Sequence, residues 1–231
     1  MTPTPTTTTY GQFCPVAKAA DVLGTRWAIL IVREMLSGSR RFGEIQRGVP
    51  GCPPATLSKR LKELVAGGVA VRHDGPDGIV YDLTEAGAEL FPIVEGLGRW
   101  GQRWVRSAYG PDELDADLLL WDVRRFLAAD GLGVDRAVVE LRVRSAGRTQ
   151  RYWIVVDPGA VDLCLVEPQR PIDLLVETDL RTLTQIWMGD VVFATAVDDE
   201  RVVLSGPRSL TRRFPKWFGR HPVLAAEPSA R

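Results

Sequence analysis

A basic amphipathic segment that stops on two glycines and runs straight into two short apolar stretches around a DGPDG turn leaves this chain few folds to choose from. From Pro54 to Ala66, Leu57, Leu61, Leu64 and Val65 gather on one side when residues are placed about 100° apart, which predicts a helix with one buried face. Gly67-Gly68 ends it. Val69-Ala70-Val71 and Ile79-Val80-Tyr81-Asp82-Leu83 read as strands on either side of Asp74-Gly75-Pro76-Asp77-Gly78, so a hairpin follows the helix. Upstream, three helical patterns are expected. One opens at Pro15, where a missing N–H costs nothing, and stops at Gly24; one spans Arg26–Leu36 with Trp27, Leu30, Ile31 and Glu34 in phase; one spans Arg41–Val49 with Phe42 and Ile45 inward. Downstream, Thr84 is a good N-cap for a helical pattern reaching about Ser107, which Pro92 would bend slightly.

Helix, helix, helix, strand, turn, strand is the order of a winged helix-turn-helix, in which the helix before the hairpin enters the major groove. Its solvent face would carry Ala55, Thr56, Lys59, Lys62 and Glu63, flanked by Ser58 and Arg60. Hydroxyls can bond base edges or phosphates, and Lys and Arg can reach phosphate or guanine. Arg40 and Arg41 precede this region, and Arg72 and His73 lead to the hairpin tip, the expected wing. Taken alone, one basic helix face is usually only a solvated surface; the order of elements argues otherwise here. Net charge is zero over the chain, yet residues 1–108 hold 13 Lys/Arg against 10 Asp/Glu, a net of +3, and residues 109–231 hold 16 against 19, a net of −3. Between Arg40 and Glu63 six basic residues face two acids, so attraction to phosphate is expected there.

Tyr109-Gly110-Pro111 is the expected boundary, with a winged-helix domain over 13–108 and a second domain over 112–222. Residues 1–12, rich in Pro and Thr, and 223–231 are expected to be tails. The second domain reads as α+β. A helix is expected over Asp115–Ala129, strands over Ala137–Val143, Arg151–Val156, Asp162–Val166, Ile172–Glu177 and Val202–Ser205, and helices over Leu180–Met188 and Leu210–Phe218. The whole chain is therefore α+β, with a four- to five-stranded sheet in its second half.

No catalytic constellation is present. His73 and His221 are the two histidines, there is no phosphate-binding loop, and Cys14, Cys52 and Cys164 fit neither a disulfide framework nor a zinc motif. No enzyme activity, cofactor or metal is expected. Scattered cysteines favour a reducing cytoplasm, and no apolar run is long enough to span a membrane.

Cys14-Pro15-Val16, Leu23-Gly24-Thr25-Arg26-Trp27, Arg40-Arg41-Phe42-Gly43-Glu44-Ile45, Thr56-Leu57-Ser58-Lys59-Arg60-Leu61-Lys62-Glu63-Leu64 and Tyr81-Asp82-Leu83-Thr84-Glu85-Ala86-Gly87 together resemble the HxlR-type, MarR-related regulators over about residues 13–106. The resemblance implies a homodimer built by the first helix and the long helix after the wing, binding a two-fold operator on double-stranded DNA, most simply as a repressor. Trp100 and Trp104 fit such a seam, or a core. Ala55 departs from the family, where a larger polar residue is common, and offers at most an apolar contact to a thymine methyl; Cys52 is not a family feature either. Cys14, ahead of a helix, is a candidate redox or electrophile sensor, as in some relatives, or a small packing residue.

In the second half, Pro171-Ile172-Asp173-Leu174, Thr178-Asp179-Leu180-Arg181-Thr182-Leu183, Ile186-Trp187-Met188-Gly189-Asp190 and Val203-Leu204-Ser205-Gly206 resemble sterol-carrier-protein type 2-like domains. That implies a tunnel for a hydrophobic small molecule, for which Trp121, Phe126, Trp153, Trp187 and Phe193 are the candidate lining, unless those rings simply fill a core. Arg142, Arg144 and Arg151 are candidate anchors for a carboxylate head, or strand residues facing water. The leading expectation is a dimeric regulator with an effector domain. The alternatives are a lipid carrier that uses the first half as a dimerisation scaffold, and a thiol-based regulator acting through Cys14.

Overall fold

The computed structural model describes residues 9–105 and 109–221. The expected tails fall outside these residues for 1–8 and 223–231, as does the expected helix end at Ser107. The chain divides into two compact units, Met1–Trp100 and Gly101–Arg231.

The first unit contains α1 (Pro15–Leu23), α2 (Ala28–Leu36), α3 (Phe42–Gly48), α4 (Pro54–Ala66), a hairpin of β1 (Ala70–Gly75) and β2 (Gly78–Leu83), α5 (Glu85–Ala88) and most of α6 (Phe91–Trp104), whose last turn from Gly101 is counted with the second unit. Its core joins Ile31, Val32 and Met35 of α2 to Ile45 of α3 and to Leu57, Leu61 and Leu64 of α4. The expected start of α2 at Arg26 is two residues early. Trp27 stands in the left-handed region at φ 80°, so the helix begins at Ala28. Leu30, expected inward, is exposed, while Glu34 is 1% exposed. The Glu34 carboxylate accepts from Arg33 Nη2 at 2.7 Å, and the same nitrogen donates to the Gly48 carbonyl at 2.8 Å. A Cβ at Gly48 would lie 1.7 Å from Glu34 Oε2, so glycine is required where α3 ends against this carboxylate. Thr84 caps α5 as expected, accepting from Gly87 N at 3.0 Å and donating to the Gly68 carbonyl at 2.6 Å. The helical pattern after it is broken rather than bent: α5 ends at Ala88 and α6 starts at Phe91, one residue before Pro92, which suits a first turn and not an interior.

The second unit is α+β. It carries α7 (Ala116–Arg124), β3 (Ala137–Ser145), β4 (Arg148–Asp157), β5 (Ala160–Cys164), β6 (Leu174–Asp179), α8 (Leu180–Trp187), α9 (Phe193–Asp198), β7 (Val202–Ser205) and α10 (Arg208–Phe218). Five strands lie in the order β5-β4-β3-β6-β7. β3 pairs parallel with β6 and antiparallel with β4; the outer pairs are antiparallel. Val139, Leu141 and Val143 of β3, Tyr152, Ile154 and Val156 of β4 and Val176 of β6 point into one core with α7, α8 and α10. Polar ends of the large rings are satisfied inside it: Tyr152 donates to Asp117 at 2.6 Å, Trp187 to Asp122 at 2.8 Å and Trp217 to the Ala128 carbonyl at 2.7 Å. Asp117 and burial together push the Tyr152 hydroxyl well above its ordinary range, burial having the larger effect. α7 is shorter than expected at its C-terminal end, and α9 was not expected at all.

The opposite face of β3 holds Glu140, fully buried, with Arg142 Nε at 2.9 Å and Arg151 Nε at 2.7 Å. Burial works against its charge, but the two guanidinium groups outweigh it and hold the carboxyl below the usual range. Arg142 and Arg151, candidate ligand anchors in the sequence, are thus engaged by an internal carboxylate.

Candidate nucleic-acid interface

α4 turns its three leucines inward, which fixes what remains outside: Ala55, Lys59 and Lys62 are exposed, and Thr56 and Ser58 half-buried. The Lys59 side chain is 68% exposed, with Glu63 3.9 Å away, too far for a strong pair. Arg60 is different. Its Nε donates to the Arg26 carbonyl at 3.1 Å, its Nη1 pairs with Glu63, and its side chain is only 17% exposed. It braces α4 against the loop carrying the left-handed Trp27, over whose ring the Arg26 guanidinium sits at 5.2 Å. Of the cations named on this helix, Lys59 and Lys62 are the exposed ones, Lys59 holding only a long pair with Glu63.

The wing is in register from Ala70↔Leu83 to Gly75↔Gly78, with Pro76 and Asp77 at its tip and Gly78 at φ 114°. Arg72 and His73 are exposed on β1. Arg40 and Arg41, at the start of α3, reach across to this hairpin. Arg40 donates two bonds to Asp82, from Nε and, at 2.7 Å, from Nη2; Arg41 Nη2 donates to Asp77 Oδ2 at 2.8 Å. The Tyr81 N–H also donates to the Arg40 carbonyl at 2.8 Å. The Arg40 hydrogen bond holds the Asp82 carboxyl below its usual range, and His73 Nε2 lies 3.3 Å from the same carboxylate. At the base of this arrangement, Glu44 accepts from the backbone N–H of Arg40 at 2.8 Å and of Arg41 at 3.0 Å. Its burial opposes ionisation, but those two donors, with Arg41 and Arg47 nearby, lower its pKa.

Two of the basic residues read from the sequence as phosphate ligands therefore tie the helix-turn-helix to its wing through Asp77 and Asp82. The acidic partners were missed. The signal was present: Asp82 lies diagonal to His73 across the hairpin, within reach of a long side chain from a neighbouring element.

Cys14 is partly exposed at the start of α1, and its carbonyl accepts from Lys18 N at 3.0 Å. Cys52 is buried, and desolvation raises its thiol pKa. Among the described residues there is no group of three or more His, Cys, Asp or Glu able to hold a metal ion, and no helix is long and apolar enough to cross a membrane.

In the second unit Phe126, Trp187 and Phe193 of the five candidate ligand residues join one aromatic cluster, the Phe126 and Trp187 rings 5.9 Å apart, while Trp121 and Trp153 lie against arginines elsewhere. Trp187 and Phe193 are buried with Phe218, their rings 6.0 and 5.9 Å from it. Trp153 is buried on β4 under the Arg151 guanidinium, 5.0 Å from its ring. Trp121, half-buried on α7, has the Arg125 guanidinium 5.2 Å from its ring. Phe126 alone of the five lines an open concavity of about 630 Å³, with Asp130, Gly131, Arg212, Lys216 and Trp217.

An apolar-backed helix with exposed lysines, set beside a braced two-stranded wing, defines a DNA-binding transcription regulator of the helix-turn-helix class. Residues 22–109 match the family model described as HxlR-like helix-turn-helix. YvaP of Bacillus subtilis (strain 168), named as an uncharacterized HTH-type transcriptional regulator, is 39% identical over 102 residues, covering 42% of this chain and 94% of YvaP. YybR of the same organism, named likewise, is 37% identical over 109 residues, covering 45% of this chain and 87% of YybR. The chain belongs to the HxlR-like family. A solved structure of sterol carrier protein 2 from Yarrowia lipolytica, in its apo form, is similar at 12% identity and a TM-score of 0.40 over 48% of this chain and 95% of that one; a match so distant assigns nothing.

Proposed function

We propose that the protein is a homodimeric repressor that reads a two-fold operator with α4 and the wing, under the control of the second unit. The observation that carries the dimer is α6. None of its residues is buried, although Phe91, Ile93, Leu97, Trp100 and Trp104 are all on it, and Phe13 and Val16 at α1 are exposed as well. Apolar surface so continuous in sequence is what a subunit interface covers. In this reading Ala55, Thr56, Ser58, Lys59 and Lys62 face the major groove, and Arg72 and His73 approach the adjacent groove. Arg40, Arg41 and Arg60 hold the two in place. The second unit, whose motifs resemble sterol-carrier domains, takes a hydrophobic effector. What favours this is the resemblance of its motifs alone, since the open concavity beside Phe126 and Trp217 is edged by Asp130, Arg212, Arg213 and Lys216 and offers no enclosed apolar chamber.

The test is fluorescence anisotropy on duplex DNA from the gene's own upstream region, at fixed salt with excess random competitor. Competitor-resistant binding that is lost in Lys59→Ala/Lys62→Ala supports the reading. Weak binding that falls steeply with salt and is insensitive to sequence counts against it.

A further inference from the structure

Residues 109–231 are acidic overall, yet the last helix among them is not. From Val202 to His221 there is no Asp or Glu, while Arg208, Arg212, Arg213, Lys216 and Arg220 all fall there. Arg208, Arg212 and Lys216 recur every four residues on α10, so they form one ridge with charges about 6 Å apart along the helix axis. Like charges at this spacing destabilise a helix. Arg213 is occupied, donating to the Gly133 carbonyl at 2.8 Å. Arg208, Arg212, Lys216 and Arg220 are exposed, and among the described residues no carboxylate pairs with them. The other side of the same helix is fully used, with Leu210, Phe214, Trp217 and Phe218 buried in the core.

We propose that this ridge is a second DNA contact, binding the phosphate backbone without reading bases. A row of unpaired cations is complementary to a polyanion, and B-DNA presents a charge about every 1.7 Å of its axis. A membrane fits less well, because a helix that lies in a lipid surface needs a free apolar face and α10 has already buried its own. The inference rests on the DNA-binding reading of the first unit, and the experiment separates the two.

Full-length protein is titrated against a 40-bp random-sequence duplex by anisotropy across a salt series. The proteins compared are wild type, Arg208→Gln/Arg212→Gln/Lys216→Gln and Lys59→Gln/Lys62→Gln. The ridge variant is expected to lower the magnitude of the log–log salt slope by about 2–3, at about 0.9 for each lost phosphate contact, with at least tenfold weaker binding at low salt. Should thermal melting show the triple variant unfolded, Lys216→Gln alone is expected to lower the slope by about 0.9. An unchanged slope in the ridge variant, with a reduced one in Lys59→Gln/Lys62→Gln, overturns the ridge and leaves the first unit's role intact. No duplex binding by wild type overturns both. If the ridge variant instead loses co-sedimentation with phosphatidylserine vesicles while keeping its duplex slope, the surface serves a membrane and the proposal fails.

Discussion

α6 and α10 are both strongly amphipathic, and they meet opposite fates. α10 closes its own unit: Phe214 is fully buried and packs edge-on against Phe193 at 5.7 Å. α6 carries more large apolar residues and buries none of them. The pattern in the sequence is the same; what differs is whether the chain supplies the other half of the contact. An amphipathic period thus shows that a face will be covered, without saying by whom.

The sharpest way to break this comparison is to truncate one ring on each helix. Phe214→Ala should cost about 3–5 kcal/mol, enough to melt the second unit well below wild type in calorimetry. Trp100→Ala, by contrast, should leave the unfolding of the isolated protomer within about 0.5 kcal/mol. Leu97→Glu on α6 is expected to weaken self-association by about 10–100-fold in sedimentation equilibrium, as a charge placed in an apolar seam must be desolvated. No change in mass with concentration for wild type would remove the dimer from the reading.

Next in size is the carboxylate behind the sheet. Glu140→Gln takes the negative charge from a carboxylate that accepts three hydrogen bonds from Arg142 and Arg151 and should cost about 1–3 kcal/mol at neutral pH. The pH dependence has a definite sign. The folded-state pKa of Glu140 lies below its ordinary 4.5. Its contribution is therefore complete above that value and is lost as pH falls through the folded pKa. Denaturant midpoints of wild type and Glu140→Gln should begin to converge as pH falls below about 4.5 and meet only below the folded-state pKa. Arg40→Gln should barely move the denaturant midpoint, because its pair with Asp82 is solvent-exposed and screened, while hydrogen exchange in β1 and β2 speeds up.

Much of this architecture was written locally. The leucines of α4, the DGPDG turn and the Thr84 cap each specify their element by a short-range rule, and the structure follows all three. So do the β3 residues Val139, Leu141 and Val143. What escaped depends on partners distant in sequence. Arg40, Arg41 and Arg60 look like free cations until Asp82, Asp77 and the Arg26 carbonyl are brought to them by the fold. Trp27 in the left-handed region is held by tertiary packing, against the preference of a bulky residue. α9 spans six residues, too few for a helical period to register. The aromatic residues of the second unit posed the opposite problem: their chemistry suits a pocket and a core equally, and only burial separates Trp187 and Phe193 from Phe126, whose ring touches Trp187 from the exposed side.

The bond between Arg40 and Asp82 joins residues 42 apart, and everything between them, α3, α4 and most of the hairpin, hangs inside the loop it closes. In the proposed reading, the bond biases the distance from the α3–α4 pair to the wing before DNA arrives, like a gauge with a preferred width. A gauge measures as well as grips. In the proposed reading, an operator whose major-groove bases are shifted by one pair relative to the wing's groove would be refused for its spacing, even with every base-specific contact still on offer.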